Sequence, residues 1–240
     1  RSMRKAVTLG FDRAAYIRAV LAGRAVQANG LLPQGGIDAD CALGSQQLDA
    51  PAARRALTDA GFELNDDGAN WIAIDPDTGR QPELCLVTRS LNFKEAVSTF
   101  VARVSALTGI AIRIEYATFA EYMKRMDDAD GQIFDSGWVM DYPAPEDVYG
   151  LWYNENDSLA APDAGYTQAL HGLEKLRSPD PERKHEGLEC LQTLNRTLDR
   201  DVPFIAIAFG ASVRLCRRGY MQPEAPLSLS VPLKYCAVTK

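Results

Sequence analysis

Between Leu84 and Met140 the chain alternates between short apolar runs and amphipathic helical periods, a pattern that few folds accommodate. Leu84-Cys85-Leu86-Val87-Thr88 is apolar and β-branched and predicts a buried strand, with Arg89-Ser90-Leu91-Asn92 as its exit. Phe93, Ala96, Val97, Phe100, Val101, Val104 and Leu107 recur at helical spacing, and Gly109 sits where a C-terminal cap is wanted. Ile110, Ile112, Ile114 and Tyr116 then alternate with Ala111, Arg113 and Glu115, the period of a strand. Thr118-Phe119-Ala120-Glu121 fits a capping box that starts a second helix running to about Asp127. Asp130-Gly131 turns the chain into a third strand, from Gln132 to about Gly137.

Strand, helix, strand, helix, strand predicts an α/β unit with a parallel sheet covered by helices, because parallel neighbours need crossover connections. Such sheets bind ligands outside the carboxyl ends of their strands. Arg89 and Asp141 follow strands that point the same way, so both are expected at one rim although they are far apart in sequence.

Before this unit, Ser2 to Leu9 and Asp12 to Leu21 read as two helices, with Asp12 at an N-cap. Asn29 to Asp49 is poor in periodicity and is expected to wander over the surface. Pro51 to Ala60 reads as a helix ending near Gly61. Trp71 to Ile74 leads into Asp75-Pro76-Asp77-Thr78-Gly79, read as a hairpin turn; it resembles the start of a calcium loop but lacks the downstream liganding acid. After the unit, Tyr166 to Leu176 and Pro181 to Leu198 predict a helical pair, the second capped by Asp180 and buried through Leu188, Leu191, Leu194 and Leu198. Val202 to Phe209 reads as a buried strand, and Val213 to Lys240 as short extended pieces broken by prolines.

Composition narrows the function. A net charge of −6 argues against a general nucleic-acid or anionic-membrane binder, which needs a basic surface to neutralise phosphates. The longest strongly apolar stretch, Val202 to Phe209, is far short of the roughly 20 residues of a membrane span, and no signal peptide is read at the N-terminus. Cys41, Cys85, Cys190, Cys216 and Cys236 are widely spaced, so no metal site is expected; buried free thiols are the expectation, with disulfides as the alternative. GxSxG, Walker, G-x-G-x-x-G and HExxH signatures are missing, and His171 and His185 fall on the helical pair, where solvated positions are expected. No cofactor is implied.

The densest chemistry lies in Gly137-Trp138-Val139-Met140-Asp141-Tyr142-Pro143-Ala144-Pro145-Glu146-Asp147, an acid and an exposable indole directly after a strand. A solute with an ammonium, a carboxylate and apolar parts finds complements there: Asp141 for the ammonium, Arg89 for the carboxylate, and Trp138 and Tyr142 as aromatic faces beside Gly137. Each has a plainer alternative. Asp141 could cap or turn the chain before Pro143, Trp138 could plug the core, Arg89 could be a solvated loop residue, and Tyr142 could be wall. Asp135 and Asp141 are the rim carboxylates that an enzyme would use.

Met3-Arg4-Lys5-Ala6 with Asp12-Arg13, and Gly137-Trp138-x-x-Asp141 followed by Pro145, resemble two motifs of the extracellular solute-binding proteins, family 5, the oligopeptide- and dipeptide-binding proteins of ABC transporters. The similarity of pattern extends from Arg1 through about Phe209. The resemblance implies a periplasmic-binding-protein-like lobe of type II, with a mixed, largely parallel sheet flanked by helices. It implies a ligand's α-ammonium at Asp141, periplasmic or extracytoplasmic location with membrane association through the transporter, and no enzymatic activity. The best-known oligopeptide binder carries an arginine where this sequence has Asp135, and an anion there disfavours a carboxylate nearby.

Family members are about twice as long, so the chain is expected to be their C-terminal half: residues 1–210 a solute-binding lobe around the 84–140 unit, and 211–240 an extended segment packing back toward an N-terminal lobe. The expected function is capture of peptides or related amine-bearing solutes for import, as a monomer that serves a permease and binds no nucleic acid. A carboxylate-dependent hydrolase and a non-transport receptor or docking module are the alternatives.

Overall fold

A computed structural model describes residues 1–33, 42–89, 94–142, 144–153 and 163–210, together with the backbone of 220–221 and 237–238. In chain order the elements are α1 (Ser2–Leu9), α2 (Arg13–Val20), β1 (Ala25–Gln27), α3 (Ala50–Thr58), β2 (Glu63–Asp66) and β3 (Trp71–Ile74). They continue with β4 (Glu83–Thr88), α4 (Lys94–Thr108), β5 (Ala111–Tyr116), α5 (Phe119–Asp127), β6 (Ile133–Phe134) and α6 (Glu146–Tyr149). Last come α7 (Ala164–Gly172), α8 (Pro181–Asp201), β7 (Ala208–Gly210), β8 (Tyr220–Met221) and β9 (Ala237–Val238). The expected readings of Cys41, Ser90 to Phe93, Pro143, Cys216, Cys236 and most of Val213 to Lys240 lie outside the described residues.

The parallel unit forms as the sequence predicts. β4 is the middle strand, paired in parallel with β5 on one side and β6 on the other. α5 starts with the full capping box: the Thr118 hydroxyl accepts from the Glu121 amide, and the Glu121 carboxylate accepts from Thr118. Asp12, Asp49, Asp163 and Asp180 cap α2, α3, α7 and α8 in the same manner, each taking up an otherwise unpaired backbone N–H. Gly109 ends α4 at φ +77°, and a Cβ there would lie 2.3 Å from the Ala73 nitrogen; only glycine lets the helix end press against β3. The antiparallel pairs β1 with β7 and β2 with β3 form separate two-stranded sheets.

Among the described residues, three apolar clusters hold these pieces. Leu191, Leu194 and Leu198 of α8 pack with Tyr149, Tyr166 and Leu173, whereas Leu188 is only half-buried. A second cluster joins α1, α3, α4 and β3 through Ala6, Leu9, Leu57, Ala73, Val104 and Ile110. A third, small one joins Cys85 and Val87 of β4 to Tyr122 of α5, under the sheet's carboxyl end.

Four expectations need correction. The third strand spans only Ile133–Phe134, because the next carbonyl, that of Asp135, accepts the Tyr122 hydroxyl instead of entering the ladder. The Asp75–Gly79 turn forms, with Asp75 Oδ1 accepting from the Asp77 and Thr78 amides, but it is no hairpin: β3 pairs with β2 before it and not with β4 after it. The run from Val202 is a strand only at Ala208–Gly210. Upstream, side chains satisfy its backbone: Gln46 bonds the Phe204 carbonyl and the Ala206 amide, and Arg13 bonds the Ala206 carbonyl. The helix expected from Tyr166 to Leu176 is α-helical over Ala164–Gly172 and 3-10 over Leu173–Arg177.

Candidate functional site

The carboxyl end of the parallel sheet carries two side-chain clusters. The first surrounds the ends of β4 and β6. Arg89 follows Thr88 directly, and its guanidinium lies 4.8 Å from the Tyr122 ring and 5.4 Å from the exposed Phe119 ring. Tyr122 is buried in the first turns of α5, and its hydroxyl donates to the Asp135 carbonyl at 2.5 Å. Burial and then the Asp135 carboxylate push the Tyr122 hydroxyl above its ordinary pKa, while the Arg89 charge works in the opposite direction. Burial and Asp135 raise the Tyr16 hydroxyl likewise, from the other side, where Tyr16 packs edge-on against Phe100.

The second cluster is the loop from Ser136 to Tyr142, which belongs to no helix or strand. Asp147 organises it. Its Oδ2 accepts the Trp138 indole N–H at 2.9 Å and the Asp141 backbone N–H at 3.2 Å. Behind it, the Tyr149 hydroxyl donates to Asn195 Oδ1 at 2.6 Å, and the Tyr166 hydroxyl donates to the Tyr149 carbonyl at 2.8 Å, which anchors α6 on α7 and α8. The loop then presents Trp138, Val139 and Tyr142 half or more exposed, beside the exposed Asp141.

All five predicted site residues are exposed. Trp138 is 51% exposed and is not a core plug. The Asp141 carboxylate caps no backbone N–H and makes no ion pair among the described residues, so it stands open to solvent. Tyr142 is exposed, as is Gly137. Arg89 is exposed and makes no ion pair among the described residues, but it rests on aromatic rings. No hydrogen bond or ion pair among the described residues joins Arg89 to Asp141; the clusters are neighbours in chain order at one sheet end. Asp135 is half-buried, with Tyr16 and Tyr122 in its field, and so differs in surroundings from Asp141.

Sequence reading gave no role to Asp147, Tyr122 or Tyr16. Tyr122 carried one usable signal, its place one turn into a helix that begins at a strand's carboxyl end. Asp147 carried none, because it reaches back nine residues to Trp138 across an irregular loop.

Among the described residues there is no group of histidine, cysteine or acidic side chains able to hold a metal ion, and no helix long and apolar enough to cross a membrane. Cys85 and Cys190 are free thiols, and His171 and His185 are exposed on the helical pair. A surface groove of about 330 Å³, lined by Gly10, Asp12, Leu48, Phe100 and Arg103, shares no residue with either cluster.

The model of the bacterial extracellular solute-binding proteins, family 5 (Middle), matches residues 1–159. The structure is similar to the Escherichia coli murein tripeptide binding protein MppA, with TM-score 0.71 and 15% identity over 100% of this chain and 45% of that one. It is similar to a periplasmic oligopeptide-binding protein, OppAIV, from Borrelia burgdorferi, with TM-score 0.70 and 19% identity over 99% of this chain and 45% of that one. It also resembles the periplasmic binding protein DppA from Helicobacter pylori in complex with the peptide STSA, with TM-score 0.65 and 18% identity over 86% of this chain and 38% of that one. The chain spans less than half the length of each of these three. No curated protein matches the sequence. At these identities the likenesses establish the fold, that of a type II periplasmic-binding-protein lobe.

Proposed function

This chain belongs to the bacterial extracellular solute-binding proteins, family 5, and from that membership we propose that it is the C-terminal lobe of a receptor that captures peptides or related amine-bearing solutes for an ABC transporter. The observation that carries the reading is the open Asp141 carboxylate, set between the half-exposed Trp138 and Tyr142 on a loop anchored by Asp147. A carboxylate and aromatic faces complement an ammonium and its apolar neighbours, while Arg89 complements an anionic end.

In this reading residues 1–210 are the lobe, and an N-terminal lobe supplies the other half of the contacts. A lobe alone leaves ligand groups in water and binds weakly; closure of two lobes removes them from solvent. In this reading the working protein is an extracytoplasmic monomer, without enzymatic activity, that docks on a permease.

Mass spectrometry of small molecules released by denaturing the full-length protein, purified from its native host without refolding, tests the reading. A peptide or other amine-bearing solute is expected. An amine-free solute contradicts the assigned ligand class.

A further inference from the structure

Asp147 is 8% exposed, and a single oxygen of its carboxylate accepts both the Trp138 indole N–H and the Asp141 backbone N–H. We propose that Asp147 is the positioning residue of the Asp141 site: it holds the Trp138 ring and the Asp141 carboxylate in their binding arrangement before a ligand arrives. This rests on the reading of Asp141 as the ammonium-binding group.

Residues 135–142 lie outside the sheet ladder; among the described residues Tyr122 bonds the Asp135 carbonyl, Asp147 bonds the Asp141 amide, and the Ala144 amide bonds the Tyr142 carbonyl. Asp147 is itself fixed, because α6 is pinned to α7 and α8 through the buried Tyr149. The Asp147 carboxylate therefore links the order of the helical cluster to the Trp138 side chain and the Asp141 backbone. Hydrogen bonds to an ionised acceptor are stronger than neutral ones, and a loop ordered in advance loses less freedom on binding.

Two consequences bear on specificity. The indole N–H of Trp138 is already taken, so a ligand meets the ring and not a donor; a ring attracts ammonium groups through its face. Asp147 also brings a second carboxylate to the Asp141 backbone, which favours cationic ligand groups and opposes carboxylates.

The test reads the Trp138 indole signal in a ¹H–¹⁵N spectrum of the full-length protein, assigned with Trp138→Phe, beside affinities for a short-peptide library with free or acetylated N-termini. In the unaltered protein the Trp138 indole proton is expected to exchange slowly with solvent for a half-exposed side chain. Asp147→Ala is expected to move that signal, speed its exchange, and weaken free-amine peptides roughly tenfold. Asp147→Asn keeps an oxygen able to accept both N–H groups, so it is expected to retain the signal while losing part of the preference for free amines. An unmoved signal in Asp147→Ala overturns the proposal. So does an indole that exchanges freely in the unaltered protein, a measurement that stands even where Asp147→Ala fails to fold. An unmoved signal with affinity still lost in Asp141→Ala contradicts the Asp147 role alone, whereas a moved signal with affinities untouched by Asp141→Ala contradicts the ammonium-binding reading.

Discussion

The Tyr122 hydroxyl donates to the Asp135 carbonyl oxygen at 2.5 Å, which ties the start of α5 to the residue at which β6 has just ended. That bond draws the chain out of the sheet early. It leaves the following residues free to form the loop that carries Trp138 and Asp141, and it brings the Asp135 carboxylate close enough to act on the tyrosine's charge.

Tyr122 and Tyr16 give the protein an alkaline limit. Burial first, and then the Asp135 charge, raise both hydroxyls above the ordinary value, and burial raises Tyr153 as well. A raised folded-state pKa means that the unfolded chain releases these protons first as pH rises. Stability is therefore fully present below about pH 10 and declines as pH climbs from there toward the folded-state values. Asp135→Asn is expected to lower the Tyr16 and Tyr122 values and leave Tyr153 unchanged, as read by tyrosinate absorbance. Unshifted titration of both hydroxyls would contradict this arrangement.

Gly109→Ala tests the close approach of α4 to β3. Its positive φ disfavours a side chain, and the added Cβ would meet the Ala73 nitrogen at 2.3 Å. The expected loss exceeds about 2 kcal/mol in denaturant unfolding. A loss below about 0.5 kcal/mol would show that the two backbones separate at little cost.

Arg13 is buried, and its Nη1 donates to the Ala28 carbonyl at 2.5 Å and the Ala206 carbonyl at 3.0 Å, tying the segment after β1 to the segment before β7. Arg13→Ala leaves both carbonyls without that donor and is expected to cost roughly 3 kcal/mol. Arg13→Lys, with a compact ammonium in place of the planar guanidinium, is expected to recover only part of it. Full recovery by lysine would show that charge, and not geometry, holds the two segments.

The parts of the fold legible in the sequence were those decided locally. The caps at Asp12, Thr118 and Asp180 follow from a side-chain oxygen within reach of the next amides, and the periods of β4, α4 and β5 follow from which face meets the core. The early end of β6 was not legible, since it depends on a tyrosine on a neighbouring helix. Nor was the irregular course from Val202 to Ile207, where Gln46 and Arg13, both distant in sequence, take the backbone groups that a strand partner would have used. At the site, Trp138 and Asp141 stood out as residue types in a short motif. Asp147, which holds them, is one acid among many until the chain is folded.

The central claim is that Asp141 receives the ammonium of the solute. Calorimetric titration of the full-length protein and its Asp141→Ala variant, each with the short-peptide library bearing free or acetylated N-termini, tests it most directly. The account predicts that the substitution weakens free-amine peptides by roughly tenfold or more and leaves acetylated ones nearly unchanged; equal losses for both would contradict it.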